Sequence, residues 1–362
     1  MRNEFGAVLI VRNEERYLEE CLRSLQNVVD EVVVLDTGST DRTVAIARHF
    51  ADLVVCGPWN GSFADARNRA LEASTSTWVL SIDADERVSH HHERLRRFLS
   101  LTAAEVALID VRCEAHHAVG GSYRTHLPRI FRRGSVHWQG RVHERLVRED
   151  GSDAPLVAIP GEWLSLNDVG YDSLDAVQRK ATRNLALLRQ AITEVQDDDE
   201  LGVATLSYEL GRCLISLEDF PQAAEAFALS AERSHRYRLQ SYDHLAKLAL
   251  ARKDFDGARR WIELLRSNGA RANYSTWLLA QVDAQTGNVQ RAIDELRQVE
   301  RVVDTAGRDF GTAPVIEMQI LVSLLAGDVS TAKERFAVLR QDPNASEAVE
   351  GVRRIMELAE VR

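Results

Sequence analysis

The sequence predicts two successive architectures: an α/β domain on a mostly parallel sheet over 1–196, followed by an all-α domain of paired helices over 197–362. Three observations carry this expectation. Short apolar, β-branched runs alternate with helical patterns from Ala7 to Ile82, a turn that opens a helix recurs in the second part, and the acidic run Asp197 to Glu200 lies between them.

At 362 residues the chain has room for both domains, and 45% hydrophobic with 28% charged residues is the balance of a globular protein. A formal net charge of −10 excludes a general phosphate-backbone binder, so no nucleic-acid partner is expected. The four cysteines, Cys21, Cys56, Cys113 and Cys213, form no C-x-x-C pair, which points away from a zinc site or a disulfide framework. The apolar run near the N-terminus is too short for a signal peptide or a transmembrane segment. A cytoplasmic protein is expected.

Taken in order, Ala7 to Val11 reads as a buried strand. Glu14 to Leu25 follows as a helix with Tyr17, Leu18, Cys21, Leu22 and Leu25 on one side. Glu31 to Leu35 is a second strand, closed by the turn-rich Asp36-Thr37-Gly38-Ser39-Thr40-Asp41. Arg42 to Phe50 is helical, Leu53 to Val55 a third strand, Phe63 to Ala73 a third helix and Trp78 to Ile82 a fourth strand. Less regular patterning then leaves strands at Val106 to Cys113 and Leu127 to Phe131, before Tyr171 to Thr193 resumes a helix. Ligands of such sheets sit beyond the carboxyl ends of the strands. Asp36 and Asp83, each directly after a strand, are therefore expected to face one crevice.

The second part contains the segments LEDFPQAAEAF, RKDFDGARRWI, TGNVQRAIDEL and AGDVSTAKERF, spaced about 34 to 40 residues apart. Small residues Ala223, Ala258, Ala292 and Ala332 fall where paired helices approach closely, the signature of a tetratricopeptide-like solenoid. Each pair cannot bury its apolar side alone, so neighbours stack. Such repeats commonly present a groove to peptides or proteins and also mediate homodimers.

The chemistry centres on Asp83-Ala84-Asp85-Glu86. Two carboxylates at alternating positions past a buried strand can converge on one hard cation, and Mg²⁺ or Mn²⁺ suits oxygen ligands. Such a cation bridges the phosphates of a nucleotide diphosphate and neutralises the charge of a departing leaving group. Alone, D-x-D is as compatible with a solvated acidic turn. Its context is specific: Val-Arg-Asn-Glu after the first strand, Leu-Asp-Thr-Gly-Ser-Thr-Asp after the second, and Ala-Arg-Asn on the helix before the acidic segment.

Together these segments resemble family 2 glycosyltransferases of the GT-A fold, a Rossmann-like α/β architecture, in the branch with lipopolysaccharide-core transferases and the peptide S-glycosyltransferases of glycocin biosynthesis. The resemblance covers the first half of the chain. It implies that Val11, Arg12 and Asp36 wall a nucleoside pocket, that Arg67 approaches the base or phosphates, that Asp83 contacts ribose or metal, and that Asp85 is the principal metal ligand. For Asp41 a helix N-cap is expected.

Further on, Arg129-Ile130-Phe131 and Trp138-Gln139-Gly140-Arg141-Val142-His143-Glu144 resemble the branch's acceptor-side segments. An inverting transfer needs a base for the acceptor's proton, and Glu144 is the carboxylate in that position. His143 is a candidate metal or phosphate partner, or a packed histidine. Asp168 stands where the branch carries a histidine before Gly-Tyr; an aspartate also ligates Mg²⁺ or Mn²⁺, and a shift of one residue selects Asn167 instead. Lys180 and Arg183 lie near one another on a helix and can reach a diphosphate, or form a solvated side. The consecutive His90, His91 and His92 point in different directions and are expected at the surface, as are His116 and His117.

The expected function is metal-dependent, inverting transfer of a sugar from a nucleotide-sugar, UDP favoured, to an acceptor that includes a peptide or protein. Two other classes compete with it: a nucleotidyltransferase, disfavoured because the chain lacks G-x-x-x-x-G-K-[ST], and a repeat scaffold with a degenerate transferase domain.

Overall fold

The structure is a computed structural model that describes residues 4–113, 123–170, 174–196, 198–342 and 345–360. His116, His117, Tyr171 and Asp197 lie outside the described residues. The chain divides into two compact units, Met1–Ala118 with Arg124–Ala191 and Val119–Tyr123 with Ile192–Arg362.

The first unit opens with β1 (Phe5–Val11), α1 (Leu18–Ser24), β2 (Glu31–Asp36), α2 (Thr43–Phe50), β3 (Leu53–Cys56), α3 (Phe63–Ala73) and β4 (Trp78–Ser81). It continues through β5 (Glu86–His91), α4 (Arg94–Leu101), β6 (Val106–Cys113), β7 (Tyr123–Arg132), β8 (His137–Gln139), β9 (Arg145–Val147), β10 (Leu156–Ala158), β11 (Leu164–Asp168) and α5 (Leu174–Glu194). The strand order is β3-β2-β1-β4-β7-β6-β11-β5, with β10 beside β6, while β8 and β9 pair separately. β1 pairs parallel with β2 on one side and with β4 on the other, so the winding reverses at β1. β7 runs antiparallel to β4 and β5 antiparallel to β11.

Burial explains the parallel half: β2 and β4 are buried at every position, so both read as continuous apolar runs rather than alternations. The first helix begins at Leu18, later than Glu14, because Glu14 to Tyr17 are used as a turn in which the Glu14 carbonyl accepts from the Tyr17 and Leu18 amides. Asn13, at φ 56°, turns the backbone into the left-handed region just ahead of it. The start of β2 is anchored by Glu31, whose carboxylate accepts from the Ser74 hydroxyl at 2.7 Å, the Ser76 hydroxyl at 2.7 Å and the Thr75 hydroxyl at 2.8 Å.

The second unit is helical: α6 (Glu200–Ser216), α7 (Phe220–Arg233), α8 (His235–Ala251), α9 (Phe255–Ser267), α10 (Ala272–Gln285), α11 (Val289–Leu296), α12 (Ala313–Leu325), α13 (Val329–Leu339) and α14 (Ser346–Glu360). A hairpin of β12 (Val302–Val303) and β13 (Asp309–Gly311) intervenes between α11 and α12. That insertion occupies the longest repeat interval, from Asn288 to Asp328. Each repeated turn opens a helix as expected. Asp219, Asp254 and Asp328 cap α7, α9 and α13 by accepting from the amides of Gln222, Gly257 and Thr331, and Asn288 takes the same place at α11. Ala223, Ala258, Ala292 and Ala332 are all fully buried. At Gly211 on α6 a Cβ would lie 2.8 Å from the Phe227 ring, so only glycine permits that approach of α7. Among the described residues no helix is long and apolar enough to cross a membrane.

Candidate functional site

The loops at the carboxyl ends of β1, β2 and β4 meet at the switch point. Val11, buried, closes β1 and accepts from the Thr37 amide at 3.0 Å and the Thr37 hydroxyl at 3.2 Å. Asp36, also buried, closes β2: its Oδ1 accepts from the Gly38 and Ser39 amides, each at 3.0 Å, around Gly38 at φ 108°. Its Oδ2 is buried and has no hydrogen-bond partner among the described residues. Beyond these two residues the loops are tied together. The Asn13 amide donates to Ser39 Oγ, and Asn13 Oδ1 accepts from the Thr40 amide, each at 2.8 Å. Asp41 accepts from the Thr43 amide at 2.9 Å and the Glu15 amide at 3.2 Å; the N-cap position itself is Arg42, so Asp41 acts from one residue earlier. Arg12 is exposed at the mouth of these loops.

Behind them runs a chain of charges in which Arg67 and Glu86 are buried and Asp83, Arg129 and Glu144 are half-buried. Arg67, on α3, donates from Nε to Glu144 Oε1 at 2.5 Å, from Nη1 to Ser81 Oγ at 2.9 Å and from Nη2 to Asp83 Oδ1 at 2.8 Å. Arg129, on β7, donates from Nη2 to Asp83 Oδ2 at 2.9 Å and to Glu86 Oε1 at 2.6 Å. Glu86 Oε2 in turn accepts from the Asp83 amide at 2.8 Å. Both Asp83 oxygens are thus held by guanidinium groups. Burial opposes its ionisation, but the two arginines outweigh that and keep its pKa well below the usual carboxylate range. Glu86 moves the other way, raised by burial and by the neighbouring Asp83 charge against the pull of Arg129.

The Ala-Arg-Asn segment also grips β8. Asn68 Nδ2 donates to the Trp138 carbonyl and Asn68 Oδ1 accepts from the Trp138 amide, each at 2.9 Å, as an adjacent strand would do. The Arg67 guanidinium stacks over the Trp138 ring at 5.1 Å. Between Trp138 and Glu144 the chain turns through Gly140 at φ 108° and His143 at φ 53°. That turn delivers Glu144 to Arg67.

Asp85 is part-exposed, and its Oδ2 accepts from Lys180 Nζ at 2.7 Å. The Asp85 carbonyl accepts from the Val169 amide at 3.0 Å, which brings Asp168 and Gly170 alongside. Asp168 Oδ1 accepts from the Gly170 amide at 2.9 Å. Burial, then the charge of Asp85, pushes the Asp168 carboxyl up to about 6. Glu14 faces the same cluster, and burial followed by Asp85 raises it to about 7. Arg183 lies over the Phe63 ring at 4.9 Å; burial lowers its pKa, and Glu14, Asp83, Asp85 and Glu144 pull the other way.

The structure therefore gathers Asp83, Asp85, Asp168, Lys180, Arg183, Arg67 and Glu144 around one locus, with Val11 and Asp36 at the strand ends beside it. Asp85 and Asp168 are hard oxygen donors of the kind that suit Mg²⁺ or Mn²⁺. His143 does not complete a three-ligand set with them: among the described residues no group of three or more His, Cys, Asp or Glu side chains is placed to hold a metal. His90 and His91 end β5 and, with His92, are exposed. The sequence places Glu14, Asn68, Arg129 and Gly170 within motif segments but assigns none of them a role of its own. Arg129 carried a signal, a charged residue directly before the buried Ile130 and Phe131.

Residues 7–156 match the profile of the family described as Glycosyl transferase family 2. Over 310 residues, 80% of this chain and 73% of the relative, the chain is 30% identical to a TPR repeat-containing protein of Synechococcus elongatus. It is 30% identical over 192 residues to the SPbeta prophage-derived glycosyltransferase SunS of Bacillus subtilis, covering 51% of this chain and 44% of that one. With the lipopolysaccharide core biosynthesis glycosyltransferase LpsC of Rhizobium meliloti it shares 34% identity over 160 residues, 40% of this chain and 57% of the other.

Proposed function

From the premise that the chain belongs to glycosyltransferase family 2, with a tetratricopeptide-like repeat domain behind the transferase domain, we propose that it transfers a hexose or N-acetylhexosamine from a UDP-sugar with inversion at the anomeric carbon. The observation that carries the donor is Asp36. Its Oδ2 is a buried acceptor at the end of β2 without a partner among the described residues, and such an atom is costly unless a ligand donates to it. The imide N–H of uracil is a donor of that kind, with Val11 and Arg12 as the adjoining walls of the pocket.

Lys180 and Arg183 project from α5 towards the cluster of carboxylates and supply positive charge for a diphosphate. Asp85, with Asp168 beside it, would hold Mn²⁺ or Mg²⁺, which when bound neutralises the departing nucleotide diphosphate. Glu144 is the acceptor's base. Arg67 fixes its Oε1, and Oε2 takes the proton as the acceptor oxygen or sulfur bonds to the anomeric carbon and the bond to the diphosphate breaks. Arg67, whose Nε, Nη1 and Nη2 all donate within the protein, orients Glu144 and Asp83.

For the acceptor we favour a peptide or protein recognised with the helical repeats, which also offer a route to a homodimer. Four widely spread cysteines, none in a C-x-x-C pair, suit a reducing cytoplasm, where we place the reaction. The test is a panel of nucleotide-sugars with candidate acceptors and Mn²⁺, read by mass spectrometry. A mass increase of one sugar that is lost in Asp85→Ala supports the reading; equal transfer by both proteins overturns the assigned site.

A further inference from the structure

Lys180 Nζ lies 2.7 Å from Asp85 Oδ2 and 3.3 Å from the Gly170 carbonyl oxygen. It is bound to the very carboxylate assigned to the metal. The space around this pair is closed: a Cβ on residue 170 would sit 1.9 Å from Asp85 Oδ2 and 2.7 Å from Lys180 Nζ. An ammonium and a divalent cation cannot both occupy that side of one carboxylate, since two cations a few ångströms apart repel strongly in a partly buried site. One must leave when the other arrives.

The lysine is built to move. Its ammonium ends a flexible four-carbon stem on α5, and its side chain is 36% exposed, against 19% for Asp85. Arg183, farther along the same helix, is by contrast stacked on Phe63. Asp83 is already neutralised by Arg67 and Arg129, so the charge that Lys180 balances belongs to Asp85 and its neighbours.

We infer that Lys180 is an exchanging counter-ion: it pairs with Asp85 until a metal takes that carboxylate, and then moves to the donor's diphosphate. The inference rests on the metal-dependent donor site described above. Lys180 is then a positioning residue that couples two ligands. The metal must displace it, and the diphosphate, by accepting it, removes that competition. Metal and nucleotide therefore bind cooperatively through one side chain.

The coupling is measurable without turnover. Mn²⁺ affinity of the full chain is determined by electron paramagnetic resonance of the free ion, without nucleotide and with saturating UDP, for wild type, Lys180→Met, Lys180→Arg and Asp85→Asn. In Lys180→Met, Mn²⁺ alone should bind more tightly than in wild type, while the tightening produced by UDP should shrink about tenfold, within the range usual for coupled sites. Lys180→Arg should retain most of the UDP effect, because a mobile cation remains. An unchanged UDP effect in Lys180→Met overturns the exchange. Mn²⁺ binding that survives in Asp85→Asn overturns the metal assignment and the exchange with it, so the two failures are told apart.

Discussion

At Gly170 the requirement is for space rather than for an unusual backbone angle, because Asp85 and Lys180 occupy the volume where a side chain would begin. Gly170→Ala should therefore keep the fold, displace the Asp85 carboxylate and lower kcat/KM with Mn²⁺ by about a hundredfold, the scale of an ångström-sized misplacement; near wild-type turnover would show that Asp85 is not held there. Glu14 makes a prediction about pH. Burial, then Asp85, raises it from 4.5 to about 7, so between those values the native state binds more protons than the unfolded chain. Its contribution is present below pH 4.5 and is lost as pH rises through 7, so without divalent ions the melting temperature should fall over that window. Glu14→Gln, measured by fluorescence melting, should flatten the fall; an unchanged profile would remove Glu14 from the cluster. At this scale the two aspartates of D-A-D were legible, but their division of labour was not. Spacing placed both carboxylates past one strand, whereas only β7, arriving from residue 129, shows that Asp83 is locked between two guanidiniums while Asp85 faces a lysine.

Among the elements, the strands whose ends hold the site were the most legible. β1, β2 and β4 are buried throughout or nearly so, and burial on both sides writes an unbroken apolar run into the sequence. β5 was invisible for the opposite reason: Glu-Arg-Val-Ser-His-His has only Glu86 buried, and it is a strand because it pairs with β11. The repeated turns were legible because each helix is opened by Asp or Asn and carries a small residue at a buried position, two local signals that agree. The start of β2 makes a prediction of its own. Burial raises the Glu31 pKa, but bonds from Ser74, Ser76 and Thr75 outweigh it and bring the carboxyl down to about 2. The resulting stability is fully present above pH 4.5 and is lost as pH falls through 2. Glu31→Gln keeps the shape and removes the charge from bonds worth roughly 1.5–3 kcal/mol each when charge-assisted, so a net loss of about 2 kcal/mol at pH 7 is expected in urea titration, shrinking towards pH 3. A loss independent of pH would assign the effect to packing instead.

On the scale of the whole molecule, the separate assembly of cores in the two units accounts for how ligands should act. One gathers Val8, Val33, Val79, Phe131 and Trp138 in the first unit, and another Ala246, Ile262, Tyr274, Leu278 and Val315 in the second. The sequence distinguishes them by period, runs of buried strand residues against helix pairs, and that is why the architecture was readable while β8, β9 and β10, strands of three residues each, were not. Every residue assigned to donor or metal lies in the first unit. Linkage then dictates where binding energy enters: a ligand at a hundred times its Kd adds about 2.7 kcal/mol to the unit that binds it. For a domain of this size that is a rise of roughly 5–10 °C. Calorimetry of the full chain with UDP and Mn²⁺ should accordingly raise the transition of the transferase unit and leave heat absorption by the repeats at its original temperature. Asp36→Ala, which removes the buried acceptor at the end of β2, should abolish the rise even with both ligands present. A rise that persists in Asp36→Ala would place the nucleoside elsewhere.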